Sequence, residues 1–174
     1  MGKPVMKTTD ENGRDHFKGH AIASEQIAKT VMKRLKFDND TIRKVTKLVA
    51  YHDYRMEPTG ANVRRAMHEI GAELFPYYLA VRLADTKAQS SYERRGKLEN
   101  IIQIRELYRN ALRNKECVTL KDLAVTGTDL INLGIAPGKE LGTLLNELLD
   151  IVIEDPAWNQ KEKLCDYVKE RFGF

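Results

Sequence analysis

Three side chains that could bind a divalent metal lie on the apolar faces of predicted helices. At about 100° of rotation per residue, His20 falls on the same face as Ile27, and His52 falls beside Val49. Asp85 likewise shares a face with the apolar residues that precede it. Two histidines and one aspartate can coordinate a divalent ion, but a hydrogen-bonded core network is the simpler explanation of inward polar groups. We therefore expect no metal and treat the three residues as weak candidate ligands.

The elements that position these side chains are predicted to be helices. Apolar residues recur with the helical period in segments near residues 23–35, 42–49, 63–70, 74–81, 92–112, 128–134, 141–152 and 164–168. Thr128 is the predicted N-cap of the sixth segment and Gly134 its end. No stretch alternates convincingly as a strand does, and residues 118–125 are the one ambiguous patch. The predicted fold class is all-α, with a multi-helix body at residues 1–115 and a smaller helical tail at 116–174.

Length and composition indicate an ordinary soluble globular protein. No window approaches about 18 consecutive apolar residues, so we expect no membrane span. Cys117 and Cys165 form neither a disulfide framework nor a metal-type pair, and they suit a reducing cytoplasm. Residues 1–115 carry 23 Lys and Arg against 14 Asp and Glu, whereas residues 116–174 carry 6 against 11. This asymmetry suggests an anionic partner for the first part of the chain.

Several motifs resemble one known family. They are GKP at residues 2–4, DHFKGH at 15–20, KRLKFDN at 33–39, YHDY at 51–54, VRR at 63–65, RLADTKAQ at 82–89, VTGTDL at 125–130 and LGIAPG at 133–138. Together they resemble the HD-containing body and C-terminal region of bacterial CCA-adding tRNA nucleotidyltransferases and related poly(A) polymerases. The resemblance extends over essentially the whole chain, and the tail motifs are its most specific part.

The resemblance implies a fragment without a catalytic head. Members of that family begin with a nucleotidyltransferase head, which uses Mg²⁺ with CTP or ATP, and the sequence contains none of its motifs. The usual HD dyad would lie just before Gly2, so His20, His52 and Asp85 match only the later metal-ligand positions and are expected to be a structural remnant. The implied partners are tRNA and the head. This chain alone is expected to hold RNA, to need no cofactor and not to transfer nucleotides.

Basic residues at helix edges and turns are the candidate RNA contacts, because RNA duplexes are held mainly through phosphates and shape. Arg105, Arg109 and Arg113 line one helix edge about 12 Å long, where phosphate binding and packing of their stems on the core both remain open. The full candidate set is Arg64, Arg65, Arg94, Arg95, Lys97, Arg105, Arg109, Arg113, Gly138 and Lys139. The charges of residues 64–65 and 94–97 are expected to be free.

Weaker candidates lie in two turns and three aromatic side chains. The turns at residues 127–128 and 137–139 could bind phosphate through main-chain N–H groups, although capping explains them equally well. Tyr92, Tyr108 and Trp158 could stack on bases, with Tyr108 expected in the core.

Two other functions stay open at this point. His20, the pair His52–Asp53, and Asp85 mimic the order of ligands in metal-dependent HD phosphohydrolases acting on nucleotides or cyclic phosphodiesters. However, Tyr54 follows the pair where that superfamily has a small residue, then Gly and Lys. Such an enzyme would need a tightly bound divalent ion. A helical module for subunit association, giving a homo-oligomer, is the third alternative.

Overall fold

The computed structural model describes residues 7–11, 15–16, 19–88, 91 and 93–173. Its elements are β1 Thr8–Thr9, β2 Asp15–His16, α1 His20–Arg34, α2 Asn39–Tyr51, α3 Gly60–Ile70, α4 Phe75–Ala88, α5 Arg94–Arg113, α6 Gly127–Asn132, α7 Lys139–Glu154 and α8 Lys161–Phe172. The predicted all-α class is confirmed. The strands, which the sequence did not predict, are two residues each and pair antiparallel, with Thr8 opposite His16. No helix of the described ranges is long and apolar enough to cross a membrane.

The chain divides into two compact units. The first comprises Met1–Arg55 with Ile70–Ile101, and the second comprises Met56–Glu69 with Ile102–Phe174. Their limits differ from the predicted domains 1–115 and 116–174, which stay a prediction of domain organisation.

In the first unit, α1 and α2 form an antiparallel helical hairpin, because the first residue of α1 meets the residue that ends α2. The turn between them is set by Asp38, whose carboxylate accepts hydrogen bonds from the main-chain N–H (2.9 Å) and the hydroxyl (2.6 Å) of Thr41. Such an N-cap satisfies an N–H group that the helix itself leaves without a partner. The hairpin therefore brings the histidines of the two helices to the same end.

The second unit has its core around α7. Leu144, Leu148 and Val152 of this helix are buried with Leu130 of α6 and Leu164 of α8. Their spacing is that of one apolar helical face, as the sequence predicts. The core fixes the position of α7, whose last carbonyls accept hydrogen bonds from Arg64, one of the candidate RNA contacts.

Two local expectations were wrong, and one assignment that the sequence left open is settled. The N-cap of α6 is Thr126, not Thr128, because Thr126 and Asp129 form a reciprocal capping box. The ambiguous residues 118–125 contain a short 3-10 helix, Leu120–Asp122, capped in the same way by Thr119. Leu35 lies beyond the end of α1 and is 60% exposed, so it does not continue the apolar face.

Candidate nucleic-acid interface

The edge of α5 presents three arginines to solvent. Arg105, Arg109 and Arg113 are all exposed, and the side chains of Arg109 and Arg113 are 57% and 70% accessible. Glu106 lies 3.5 Å from an Nη atom of Arg109 and 3.8 Å from one of Arg113. This exposure disfavours the alternative in which the stems pack on the core, and phosphate binding by this edge stays a prediction. Exposed ion pairs of this kind contribute only about 0–1 kcal/mol, so Glu106 does not prevent the arginines from binding phosphate.

The cluster at the start of α5 is mixed in exposure. Arg95 is 93% accessible and its Nε donates a hydrogen bond to Glu99 over 2.9 Å. Arg94 and Lys97 are half-buried and both take part in interactions within the structure. None of these three charges is free in the structure, and Arg95 is the most exposed of them although it is paired with Glu99.

Arg64 corrects the expectation that its charge is free. Its Nε donates to the carbonyl of Ile153 (2.7 Å), one Nη donates to that of Glu154 (3.0 Å), and the other meets the Glu116 carboxylate at 2.7 Å. The residue is 7% exposed. The last carbonyls of a helix have no partner within it, and Arg64 supplies one to α7 from α3. Arg65, the next residue, remains on the surface with a 3.3 Å pair to Glu154.

The two glycine turns differ in what occupies them. At the start of α6, the carboxylate of Asp129 accepts hydrogen bonds from the N–H (2.8 Å) and hydroxyl (2.7 Å) of Thr126. The pKa of Asp129 is lowered to about 2, chiefly by a hydrogen bond from Lys161 and then by Thr126. A carboxylate already fills this helix terminus, which disfavours phosphate in the turn at residues 127–128. Gly138 and Lys139, at the start of α7, are exposed.

The structure brings two of the three candidate metal ligands together. The Nε2 atoms of His20 and His52 are 3.2 Å apart, with the rings edge to face. The Nδ1 atom of His52 lies 2.7 Å from the carbonyl of Val49. A carbonyl only accepts, so Nδ1 of His52 carries a proton and its Nε2 accepts from His20 when both rings are neutral. Asp85 is half-buried on α4. Over the described ranges, no three His, Cys, Asp or Glu side chains are arranged to hold a metal.

Comparison with known proteins identifies the family. A model described as "tRNA nucleotidyltransferase domain 2 putative" matches residues 20–168, from the first residue of α1 to a buried residue of α8. The chain belongs to this family. A CC-adding tRNA nucleotidyltransferase from Thermus thermophilus is 27% identical over 168 residues, which is 93% of this chain and 36% of the relative. The chain thus spans about a third of that relative's length. No solved structure matches it.

For a chain of the tRNA nucleotidyltransferase family, aromatic residues are the remaining candidate contacts. Trp158 is 37% exposed and stacks edge to face on Tyr167, with ring centres 6.2 Å apart. Tyr108, which was expected in the core, is half-buried, and burial raises the pKa of its hydroxyl. Tyr92 lies outside the described residues, as does the GKP motif of residues 2–4.

One surface of this family member was not predicted from the sequence: the end of α1 and the turn that follows it. Residues 33–37 read KRLKF, and all of them are exposed. The periodicity placed Leu35 on a buried face, and Phe37 was noted only as part of the KRLKFDN motif. The signal that could have found this surface is the alternation of basic and apolar residues directly before a capping aspartate.

Proposed function

We propose that the chain is a tRNA-binding helical part of a tRNA nucleotidyltransferase and that α5 supplies its main contact with phosphates. The family match over residues 20–168 carries this proposal. The printed name of the Thermus relative, a CC-adding tRNA nucleotidyltransferase, supports tRNA as the ligand. The exposed arginine edge of α5 supports the mode of binding.

The dimensions of that edge suit an RNA backbone. Residues four apart on a helix are separated by about 6 Å along its axis, so the outer two of three arginines span about 12 Å, enough for two successive phosphates. Guanidinium groups bind phosphate through paired, charge-assisted hydrogen bonds. Binding releases counterions from the RNA, which gives the affinity its dependence on salt. Arg65, Gly138 and Lys139 are further exposed candidates in the second unit, and Arg95 is one in the first unit. Arg64 is excluded because it is buried.

Nucleotide transfer is assigned to a different part of such an enzyme. In this proposal Mg²⁺ and CTP or ATP belong to a nucleotidyltransferase head, and this chain holds the RNA substrate without catalysing the reaction. The paired histidines of α1 and α2 contribute a hydrogen bond inside the first unit. This division of labour predicts RNA binding by the chain in the absence of nucleotide.

The test is the salt dependence of tRNA binding, measured by fluorescence anisotropy between about 50 and 300 mM salt. Each lost phosphate contact lowers the slope of log affinity against log salt by about 0.7–0.9. For the triple variant Arg105→Ala, Arg109→Ala, Arg113→Ala, we therefore expect the slope of log affinity against log salt to become shallower by about two to three. A matched control is the triple alanine variant of Lys121, Lys163 and Lys169, which are exposed cations of the same unit. Equal slopes for both triple variants would sink the proposal.

Glu106→Gln tests the same edge of α5 by a change that is expected to strengthen tRNA binding. Removing the carboxylate that lies near Arg109 and Arg113 is expected to tighten tRNA binding about two- to fivefold, since an exposed pair contributes up to about 1 kcal/mol. Glu99→Gln, which frees Arg95 alone, is the comparison. Weaker binding by Glu106→Gln would show that the arginines need this partner for positioning.

A further inference from the structure

The segment that ends α1 and enters the turn to α2 combines exposed apolar side chains with cations for which the described residues provide no counter-ion. In this segment, residues 33–37, here named the basic turn, Leu35 is 60% exposed and Phe37 is 48% exposed. Within the described part of the chain, its three cations form no ion pair; they are Lys33, Arg34 and Lys36. The carboxylates that follow are engaged elsewhere, Asp38 by Thr41 and Asp40 by Arg43 and Lys44 of α2. The basic turn therefore offers positive charge and an aromatic face at one place.

The backbone of the basic turn is strained to present this surface. Lys36 adopts φ +58°, a left-handed conformation that costs a residue with a Cβ atom free energy and that glycine adopts readily. The N–H of Lys36 bonds to the carbonyl of Lys33, and that of Phe37 to the carbonyl of Met32, which is the Schellman pattern of helix ends. Gly134 fills the corresponding left-handed position after α6, with φ +103°. A lysine at 36 thus lowers stability relative to glycine, and strain of this kind concentrates at functional sites.

The favourable interaction of a cation with a helix C-terminus does not account for Lys36. That interaction acts within the last turn, where Lys33 and Arg34 already lie on right-handed backbone. A third cation adds little to it but requires the left-handed conformation. Lys115 adopts the same conformation after α5, so left-handed backbone alone does not mark a ligand site. At Lys36 the left-handed lysine lies beside the exposed ring of Phe37, and the two together indicate a ligand.

We propose that the basic turn binds an unpaired nucleotide of RNA, with Phe37 stacking on the base and Lys33, Arg34 and Lys36 on the flanking phosphates. This inference rests on the proposed function and adds to it a second contact, in the first unit, specific for unpaired rather than duplex RNA. Proteins recognise single-stranded RNA by this combination of aromatic stacking and positive charge. The first unit, whose sequence holds 17 Lys and Arg against 11 Asp and Glu, has the charge to attract it.

Other occupants fit the basic turn less well. A membrane-surface segment needs a long amphipathic face rich in apolar residues, whereas here two apolar side chains stand on a turn. The centre of a protein interface is depleted of lysine, whereas here Lys36 lies between the two apolar residues of the turn. Stacking on a single base requires only one exposed aromatic ring with cations nearby.

The experiment compares the full chain and its variants on three RNAs, which are a tRNA transcript, a short unstructured oligoribonucleotide and a blunt-ended duplex of two annealed strands. Phe37→Ala is expected to weaken binding of the oligoribonucleotide about fivefold or more and to leave binding of the duplex unchanged. Phe172→Ala, at an exposed phenylalanine of α8, is the matched control. Lys36→Gly is expected to raise the urea midpoint and to lower the salt slope for the oligoribonucleotide by about 0.7. Lys115→Gly, at the same left-handed position after α5, should raise the midpoint likewise.

The outcomes separate this inference from the proposed function. A wild-type chain that binds none of the RNAs refutes both. Binding of tRNA that is lost with the arginines of α5 but is unchanged by Phe37→Ala and Lys36→Gly refutes the basic turn alone. Equal losses for Phe37→Ala on the blunt-ended duplex and the oligoribonucleotide would also refute it, because stacking requires an unpaired base. Binding to phosphatidylserine vesicles that Phe37→Ala abolishes, with RNA binding intact, would assign the turn to membranes instead.

Discussion

Replacing Arg64 by alanine tests the interior role that the structure gives this arginine. The guanidinium reaches from α3 to the carbonyls of Ile153 and Glu154 at the end of α7 and to the carboxylate of Glu116. Its side chain is 9% accessible and that of Glu116 is 18% accessible. Alanine would leave all three acceptors without this donor inside the second unit.

The expected loss follows from that geometry. Removing one partner of a buried ion pair costs about 3–5 kcal/mol, and a buried carbonyl left without a donor costs about 1–3 kcal/mol. Water can reach part of the Glu116 carboxylate and the exposed end of α7, which offsets some of this cost. We therefore expect Arg64→Ala to lower the free energy of unfolding by about 3 kcal/mol. Arg64→Lys should recover only part, because an ammonium cannot direct donors to three acceptors as a guanidinium does.

The assay is urea unfolding followed by far-UV circular dichroism, with Arg65→Ala as the control. Arg65 is the next residue, carries the same charge and pairs with Glu154 on the surface, so its loss should cost about 0.2–1 kcal/mol. Equal costs for the two variants would refute the reasoning. The same result would return Arg64 to the set of candidate RNA contacts.

Gly60 provides a second test of the same arrangement. A Cβ atom added at Gly60 would lie 3.0 Å from a terminal nitrogen of Arg64, whose position is held by its hydrogen bonds. Gly60→Ala would otherwise stabilise a helix by about 0.5–1 kcal/mol. We expect that gain to be absent in the wild-type background and to appear in Arg64→Ala, a coupling measured by a double-mutant cycle.

Three further predictions concern titrating and reactive groups. The hydrogen bond from Lys161 lowers the pKa of Asp129, so the ionised carboxylate stabilises the folded state fully above its unfolded pKa of about 3.9. At pH 7, wild type should therefore unfold at a higher urea concentration than Asp129→Asn. This difference should vanish as the pH falls towards 2. Burial raises the pKa of the Cys117 thiol to about 11, so iodoacetamide should modify half-buried Cys165 first and Cys117 only on unfolding. Tyr78 is 1% exposed, and its hydroxyl donates to a main-chain carbonyl over 2.8 Å, so Tyr78→Phe should cost about 1 kcal/mol.

Each of these predictions has a control. For Asp129→Asn, it is Asp150→Asn, which removes one negative charge from an exposed position of α7 and leaves the capping box of α6 in place. For the thiols, the control is Cys165→Ser, with the modified residue mapped by mass spectrometry. The folded variant should not be modified. Modification of Cys117 before unfolding would contradict its burial. For Tyr78→Phe, Tyr77→Phe is matched, since Tyr77 is 60% exposed and should be neutral; equal costs would argue against the buried hydrogen bond.

Local patterns in the sequence account for most of the fold. Apolar residues at helical spacing predicted each helix from α1 to α8, because burial of one face repeats with the turn of the helix. The helix ends were predicted less well. Thr126 and Thr128 are equally good caps by type, and only the reciprocal bonds between Thr126 and Asp129 decide between them.

The residue types of the candidate site were predicted from the sequence, but which of these residues reach solvent was predicted only in part. Basic residues could be named from the sequence, but the charge of an arginine does not reveal what surrounds it. Arg105 and Arg109 lie on a solvent-exposed edge of α5, whereas Arg64 lies inside the second unit. Its partners, Ile153 and Glu154, are 89 and 90 residues away along the chain, and no local pattern connects residues at that separation.

The sequence by itself determined the helical class, the family resemblance and the excess of cations before residue 116, since these depend on residue types and short spacings. Only the tertiary structure decided which cations face solvent, that His20 meets His52, and that Leu35 and Phe37 stand exposed beside a strained Lys36. The reason is physical: a side chain's exposure and partners are set by segments distant in sequence that fold against it. Charge is a property of the residue, whereas its availability to RNA is a property of the folded unit.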